Sequence, residues 1–349
     1  MPIYFKRLVP LKTGIILSFS IFFLVWGNFF ISCKSRQDRF VIQTVSGKVS
    51  YPETVSWLSH EHILVDFTGA DSLDPRAWNH DSVIPLTLPF LQELRQYQVG
   101  FFVDATPAYL GRDVSLLEKI SQKAGIQIIT NTGFYGAVNN KYIPGFAFAL
   151  EPDALAEIWI REWTHGIEGT PVKPGFIKIG VDATEILHPM QQNLVKAAAL
   201  SHLKTGLTIA SHTGEARGLW PQLKILKETG VSARAFIWVH AQNEKEDQNY
   251  LRAAATGCWI SLDGLGWDLQ NHVNKLIFAR EQGILGRILI SHDAGWYDPK
   301  KTNQTIRPYT AIFMELIPAL KTKGFQKEDL DLLLKKNPTR AFGISVKKI

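Results

Sequence analysis

Residues 175–212 read GFIKIGVDATEILHPMQQNLVKAAALSHLKTGLTIASH, and this stretch decides the fold. Gly175–Val181 and Leu207–His212 are short runs rich in β-branched residues, bounded by Gly, Pro or polar residues, which is the signature of a strand. Between them Gln191–Thr205 reads as a helix. A strand, a helix and a second strand form a unit whose two strands lie parallel, in a sheet covered on both faces. Working outward, the same alternation recurs. Further strands are expected at Trp57–Ile63, Phe101–Thr106, Ile126–Thr132, Phe236–His240, Cys258–Leu262 and Ile288–Asp293. Helices are expected at Asp113–Ala124, Leu219–Glu228 and Asn271–Glu281, with Tyr309–Leu320 and Lys327–Lys335 closing the ring. Eight such units, with no G-x-G-x-x-G loop after the first strand, predict an α/β protein built as a single (β/α)8 TIM barrel.

The 349 residues suffice for a large core, since such barrels commonly use 200–250 residues or more. With 46% hydrophobic and 20% charged residues, the chain is neither disordered nor collagenous. Two cysteines, Cys33 and Cys258, rule out a disulfide scaffold. The net charge of +6 is half leader: without residues 1–33 the body holds 35 basic and 32 acidic residues. No basic stripe interleaves with aromatics, so nucleic acid is not an expected partner.

The leader has its own pattern. Lys6, Arg7 and Lys12 precede the apolar run GIILSFSIFFLVWGNFFI (14–31), and Ser32-Cys33 follows. That order is the order of an export signal. Phe30-Ile31-Ser32-Cys33 resembles a bacterial lipobox, although Phe30 stands where leucine is usual. The alternative is an uncleaved anchor, because 18 residues of helix span about 27 Å. The expected organisation is a signal segment at 1–33, a short linker at 34–44 and the barrel at 45–349. The expected location is the periplasm or cell envelope, with a lipid anchor on Cys33.

Barrel chemistry sits where strands end. The first strand ends Ser59-His60-Glu61-His62, and histidines two apart on a strand share a face. The fourth places Lys178 inward, the fifth ends at His212, the sixth at His240, and the eighth at His292-Asp293. Four histidines, one lysine and one aspartate thus converge on one rim, a donor set for metal ions. By alternation His292 points away from the axis and serves as a support. His80, His165, His188, His202 and His272 end no strand and read as core or solvent residues. A protonated Lys178 beside divalent ions would be repelled, so it is expected neutral or converted by CO2 to a carbamate, which bridges as a carboxylate does. The plainer alternative is an ion pair of Lys178 with Asp293 or a nearby acid.

In these residues the chain resembles the phosphotriesterase family of the amidohydrolase superfamily. The pieces that carry the resemblance are Ser59–His62, Val103–Thr106, Gly111–Asp113, Thr132–Tyr135, Ile167–Thr170, Ile177–Ile179, Ser211–Thr213, Val239-His240, Ser291–Asp293 and Asn337–Arg340. The resemblance implies a binuclear site, usually zinc. His60 and His62 with Asp293 would hold the more buried ion, and His212 and His240 the more exposed one. Carbamylated Lys178 would bridge the two, together with a hydroxide. It also implies attack of that hydroxide on a small-molecule lactone, carboxyl ester or phosphotriester, with Asp293 and Lys178 as the catalytic residues, and a homodimer.

Loops name the substrate. Tyr135 follows the third strand, Trp267 the seventh, and Trp296 and Tyr297 the eighth, so these four are expected to wall an apolar pocket. The long connections Asp71–Pro89 and Gly133–Pro174 are expected to shape its mouth. Two other functions are open to the same ligand set: hydrolysis of a C–N bond in a cyclic amide or N-acyl substrate, and metal binding at the cell surface without turnover.

Overall fold

Parallel strands run in register from β3 (Ser56–Glu61) through β4 (Val99–Asp104) to β5 (Gln127–Ile129), and from β6 (Asn131–Thr132) through β7 (Phe176–Gly180), β8 (Thr208–His212), β9 (Phe236–Val239) and β10 (Trp259–Leu262) to β11 (Ile288–Ile290). The computed structural model describes residues 40–51 and 54–349; the leader and Cys33 lie outside the described residues. β5 and β6 flank Thr130 as one path, so eight strand positions go round. The seam closes where β3 meets the segment after β11. There the Asp293 N–H donates to the His60 carbonyl (3.1 Å) and the His62 N–H to the Ala294 carbonyl (2.9 Å). The expected closed (β/α)8 barrel is what forms.

Alternation sorts the strand residues into two cores. Trp57, Phe101, Ile129, Phe176, Ala210, Ile237, Trp259 and Leu289 fill the interior. Their neighbours Leu58, Phe102, Ile128, Ile177, Ile209, Trp238, Ile260 and Ile288 or Ile290 pack outward against the helices. β3 breaks the rule in a useful way. Strict alternation from Trp57 would turn Glu61 inward, but the pairing with β4 shifts between Leu58 and Glu61. The shift changes the parity, so His60 and His62 line the inner mouth and Glu61 lies buried behind them.

Two sequence expectations need correction. Residues 40–44, read as the end of a linker, form β1 (Phe40–Thr44), which pairs antiparallel with β2 (Gly47–Tyr51). Ile42 of β1 and Phe342 plug the barrel end where the strands begin, with Phe342 5.9 Å from Trp57 and 5.4 Å from Phe176 between ring centroids. Eight units require a helix after each strand, and three helices had not been located from sequence: α1 (His80–Glu93) and α3 (Pro152–His165) in the long connections and, after β9, α6 (Asp247–Thr256). In α1, Pro85 and Pro89 are spaced four apart and sit on the exposed face, opposite buried Val83, Thr87 and Leu91. Carbonyls freed by the prolines therefore meet water, and the helix survives. Of the helices expected between strands, α2 (Val114–Ala124), α4 (Pro189–Thr205), α5 (Ala216–Glu228) and α7 (Leu269–Glu281) fall within three residues of their expected starts.

Candidate metal centre

Four histidines, one carboxylate and one lysine meet at the inner mouth where the strands end. His62 Nε2 lies 2.9 Å from Asp293 Oδ1, and His60 Nε2 3.6 Å from the same oxygen. One ligand atom each from His60, His62 and Asp293 fall within 4.8 Å of one another, which suits a single ion. The His240 ring is 5.2 Å from His60 and 4.4 Å from His212. Lys178 is fully enclosed, and its Nζ lies 5.7 Å from the Tyr135 ring. All six side chains line one cavity of about 100 Å³.

Backbone geometry at two ligands departs from a plain strand. His240 and Asp293 adopt left-handed φ values of 59° and 52°, directly after β9 and just beyond β11. Such conformations cost about 1 kcal/mol or more for a non-glycine residue, and they aim both side chains into the mouth.

The partners of the ring nitrogens decide what the histidines can bind. Asp263 takes His240 Nδ1 at 2.7 Å and His60 Nδ1 at 3.4 Å, and Thr106 Oγ1 takes His62 Nδ1 at 2.7 Å. Each occupied Nδ1 leaves Nε2 for the cavity, the arrangement that orients metal-binding imidazoles. The donor set and its outer partners therefore fit divalent metal ions. Burial, reinforced by the neighbouring His240, holds His212 well below the usual histidine range, so it is neutral and free to ligate. Burial also lowers Lys178 to about 8 against the pull of Asp293 and Asp263. Those two carboxylates pair with histidines, so the ion pair of Lys178 with Asp293 does not form. Asp263 and Asp293 both stay below the ordinary carboxylate range despite burial, because the histidine charges and hydrogen bonds outweigh it.

Comparison with known proteins places this centre. The profile of the phosphotriesterase family matches residues 40–342. The chain belongs to the phosphotriesterase family. It is 29% identical to the aryldialkylphosphatase of Saccharolobus solfataricus, over 82% of this chain and 94% of that one. It is 24% identical to the N-acetyltaurine hydrolase of Mus musculus, over 85% and 96%. Among solved structures, the phosphotriesterase homology protein of Escherichia coli, with phosphate in its active site, superposes with a TM-score of 0.70 at 25% identity, covering 84% of this chain and all of that one.

Of the expected pocket walls, Tyr135 and Trp296 line the cavity of this family member, beside Val65, Phe67, Ala105, Pro107 and Leu110. The Trp296 ring sits 5.9 Å from His62. Tyr297 does not line it. Its side chain belongs to the main hydrophobic cluster, and its backbone bridges to Leu64 and Val65. Trp267 is also outside the lining; it is exposed, leans on Trp296 at 6.0 Å and carries the Arg307 guanidinium 3.6 Å above its ring. His292 supports from behind as alternation required. Its Nε2 accepts from the Ile312 N–H (3.0 Å), so its Nδ1 donates to Glu61 (2.7 Å). Glu61 also accepts from Ser291 Oγ and the Ala294 N–H, locking the segment that carries Asp293. None of the other five histidines lines the cavity.

Sequence reasoning missed Asp263, Thr106 and Glu61 as functional residues. Asp263 had one signal, an acid directly after the seventh strand, the only strand end besides the second and third that supplied no donor.

Proposed function

We propose that the chain is a metal-dependent hydrolase that cleaves ester-type bonds, a lactone, carboxyl ester or phosphotriester, in a small apolar substrate. The observation that carries this reading is the convergence of His60, His62, Lys178, His212, His240 and Asp293 on one cavity with otherwise apolar and aromatic walls. Enzymes of the phosphotriesterase family depend on two metal ions, and both named relatives are hydrolases. His60, His62 and Asp293 would hold one ion, His212 and His240 the other, and Lys178, as its carbamate, both. A divalent pair supplies hydroxide at neutral pH and Lewis-acid polarisation of a carbonyl or phosphoryl oxygen.

The chain's own residues do the rest. Lys178, with its affinity for protons reduced by burial, reaches the neutral amine that reacts with CO2 more readily than an exposed lysine does. Asp293 stays ionised and takes the proton of the attacking water at its carboxylate, then passes it toward the leaving group. Asp263 and Thr106 keep the imidazoles in the ligating tautomer. Tyr135, Leu110, Phe67 and Trp296 exclude water and seat an acyl or aryl group. The pattern of residues 1–33 supports export and anchoring at Cys33.

The likeness to an N-acetyltaurine hydrolase favours amide hydrolysis as a second reading. Among the described residues, Lys178 is the only basic side chain besides the histidines in the cavity wall, so an anionic acyl-amino acid would find no other cationic side chain there. A panel of lactones, aryl esters, phosphotriesters and N-acyl amines on the metal-reconstituted protein is the test. An ester or lactone should give the highest kcat/KM. A higher value on any amide would replace this reading with the second, and no turnover with both metals bound would leave a binding protein.

A further inference from the structure

The opposite end of the barrel carries a second cavity, of roughly 570 Å³, beside the starts of β10 and β11 and the C-terminal tail. Arg234, Arg287, Arg340 and Lys347 line it, and no acidic side chain does. Among the described residues, Arg234, Arg287 and Lys347 form no ion pair. The Arg287 guanidinium lies 5.0 Å from the ring of Trp259, which walls the cavity. The stem of Arg234 packs so closely on Gly257 that an added Cβ would meet it at 2.8 Å. Arg234, Arg287 and Lys347, gathered in a concave surface whose described lining holds no carboxylate, repel one another, and a bound anion relieves that repulsion. Consistently, burial and the charges of Arg234 and Arg340 hold Arg287 below its ordinary range.

We propose that this cavity binds a phosphate-bearing anion, supplied by the headgroup of an anionic phospholipid. Guanidinium groups present paired N–H donors that match phosphate oxygens, and Gly283 and Gly286 in the wall let a headgroup approach the backbone. The lipid source follows from where the chain enters the fold. Phe40 and Ile42 belong to the same apolar plug as Trp259, so residues 1–39 join the barrel at this end. A chain spans at most about 3.5 Å per residue, so the stretch from Cys33 to Phe40 reaches roughly 25 Å. With the leader held in a membrane, a tether of that length would keep the cationic end within reach of the headgroups. The phosphate site itself does not depend on the hydrolytic reading.

The experiment uses the full-length, metal-loaded protein in neutral detergent at physiological ionic strength. Calorimetry follows titration with inorganic phosphate, dihexanoylphosphatidylglycerol and dihexanoylphosphatidylcholine. The phosphatidylglycerol should bind saturably and the phosphatidylcholine should not. The double variant Arg234→Gln/Arg287→Gln should weaken binding by about tenfold or more while ester hydrolysis and the melting temperature stay unchanged. Lys347→Gln, altered on the tail, should weaken it independently. Inorganic phosphate binding as tightly as the lipid, and lost in the double variant, would keep the site but overturn the lipid source. Binding that survives both variants belongs to the metal centre, and that result, or no binding at all, would overturn the proposal.

Discussion

Asp263 shows how far a metal centre is set from outside its ligands. Its two oxygens serve His240 and His60, one histidine from each half of the donor set, so a single buried carboxylate orients both. Asp263→Asn keeps the shape but leaves an amide N–H facing one Nδ1–H. The expected result is a loss of metal affinity of about 10- to 100-fold, read by competition with a chromophoric chelator, with activity restored by excess metal. Unchanged affinity would reduce Asp263 to packing. In the proposed mechanism Lys178 has the opposite task, because it would lose its charge and then acquire a negative one. Lys178→Ala should cut bound metal from two ions per chain to one or none by elemental analysis, with partial rescue of activity by short carboxylic acids. Lys178→Glu should be milder, since its carboxylate bridges directly; full metal content in the alanine variant would refute the bridging role. The convergence of the six candidate ligands was legible in the sequence because each is a residue type that a strand end rarely carries without cause. Asp263 was not, since a buried acid and a surface acid look alike until the histidines behind it are placed.

At the level of strands and turns, Gly133 holds a position that no other residue can take. It follows β6 with φ +116°, and a Cβ there would lie 2.1 Å from the Lys178 carbonyl oxygen. Gly47, in the β1–β2 turn, has nearly the same φ, +112°, with nothing within 4 Å of a Cβ. Both alanine variants pay the conformational strain of about 1–2 kcal/mol, but only Gly133→Ala must also push β6 off β7. Gly133→Ala should therefore cost about 4 kcal/mol or more and abolish activity, whereas Gly47→Ala should keep full activity; equal thermal shifts in the two would contradict the packing described here. The barrel strands could be read from sequence because short β-branched runs between helices admit few alternatives. What escaped was set by context. The parity change in β3 comes from its pairing with β4, and α1 stays a helix because its two prolines face water. The hairpin of residues 40–51 holds because Ile42 fills the open end of a barrel that local sequence does not reveal.

For the molecule as a whole, the donors are distributed so that metal binding acts on the fold as well as on the chemistry. His60 comes from β3 and His62 from just beyond it, Lys178 from β7, His212 from β8, His240 from directly after β9 and Asp293 from just beyond β11. A pair of ions held by all six would tie together strands on both sides of the β3–β11 seam, the place where the circle closes through side chains and loop backbone and not through pairing of the two strands. Ions that bind only the folded state stabilise it by mass action, by about 4 kcal/mol at a thousandfold excess over Kd. For a body of about 310 residues that corresponds to a rise of roughly 6 °C in Tm. Prolonged chelation should therefore remove activity on aryl esters and lactones and lower the melting temperature together, and added Zn, Mn or Co with bicarbonate should restore both. The two losses separate the possible errors. Activity that persists in fully chelated protein would sink the hydrolytic mechanism. A melting temperature that does not move while activity disappears would mean that the ions occupy a preformed mouth without bracing the seam.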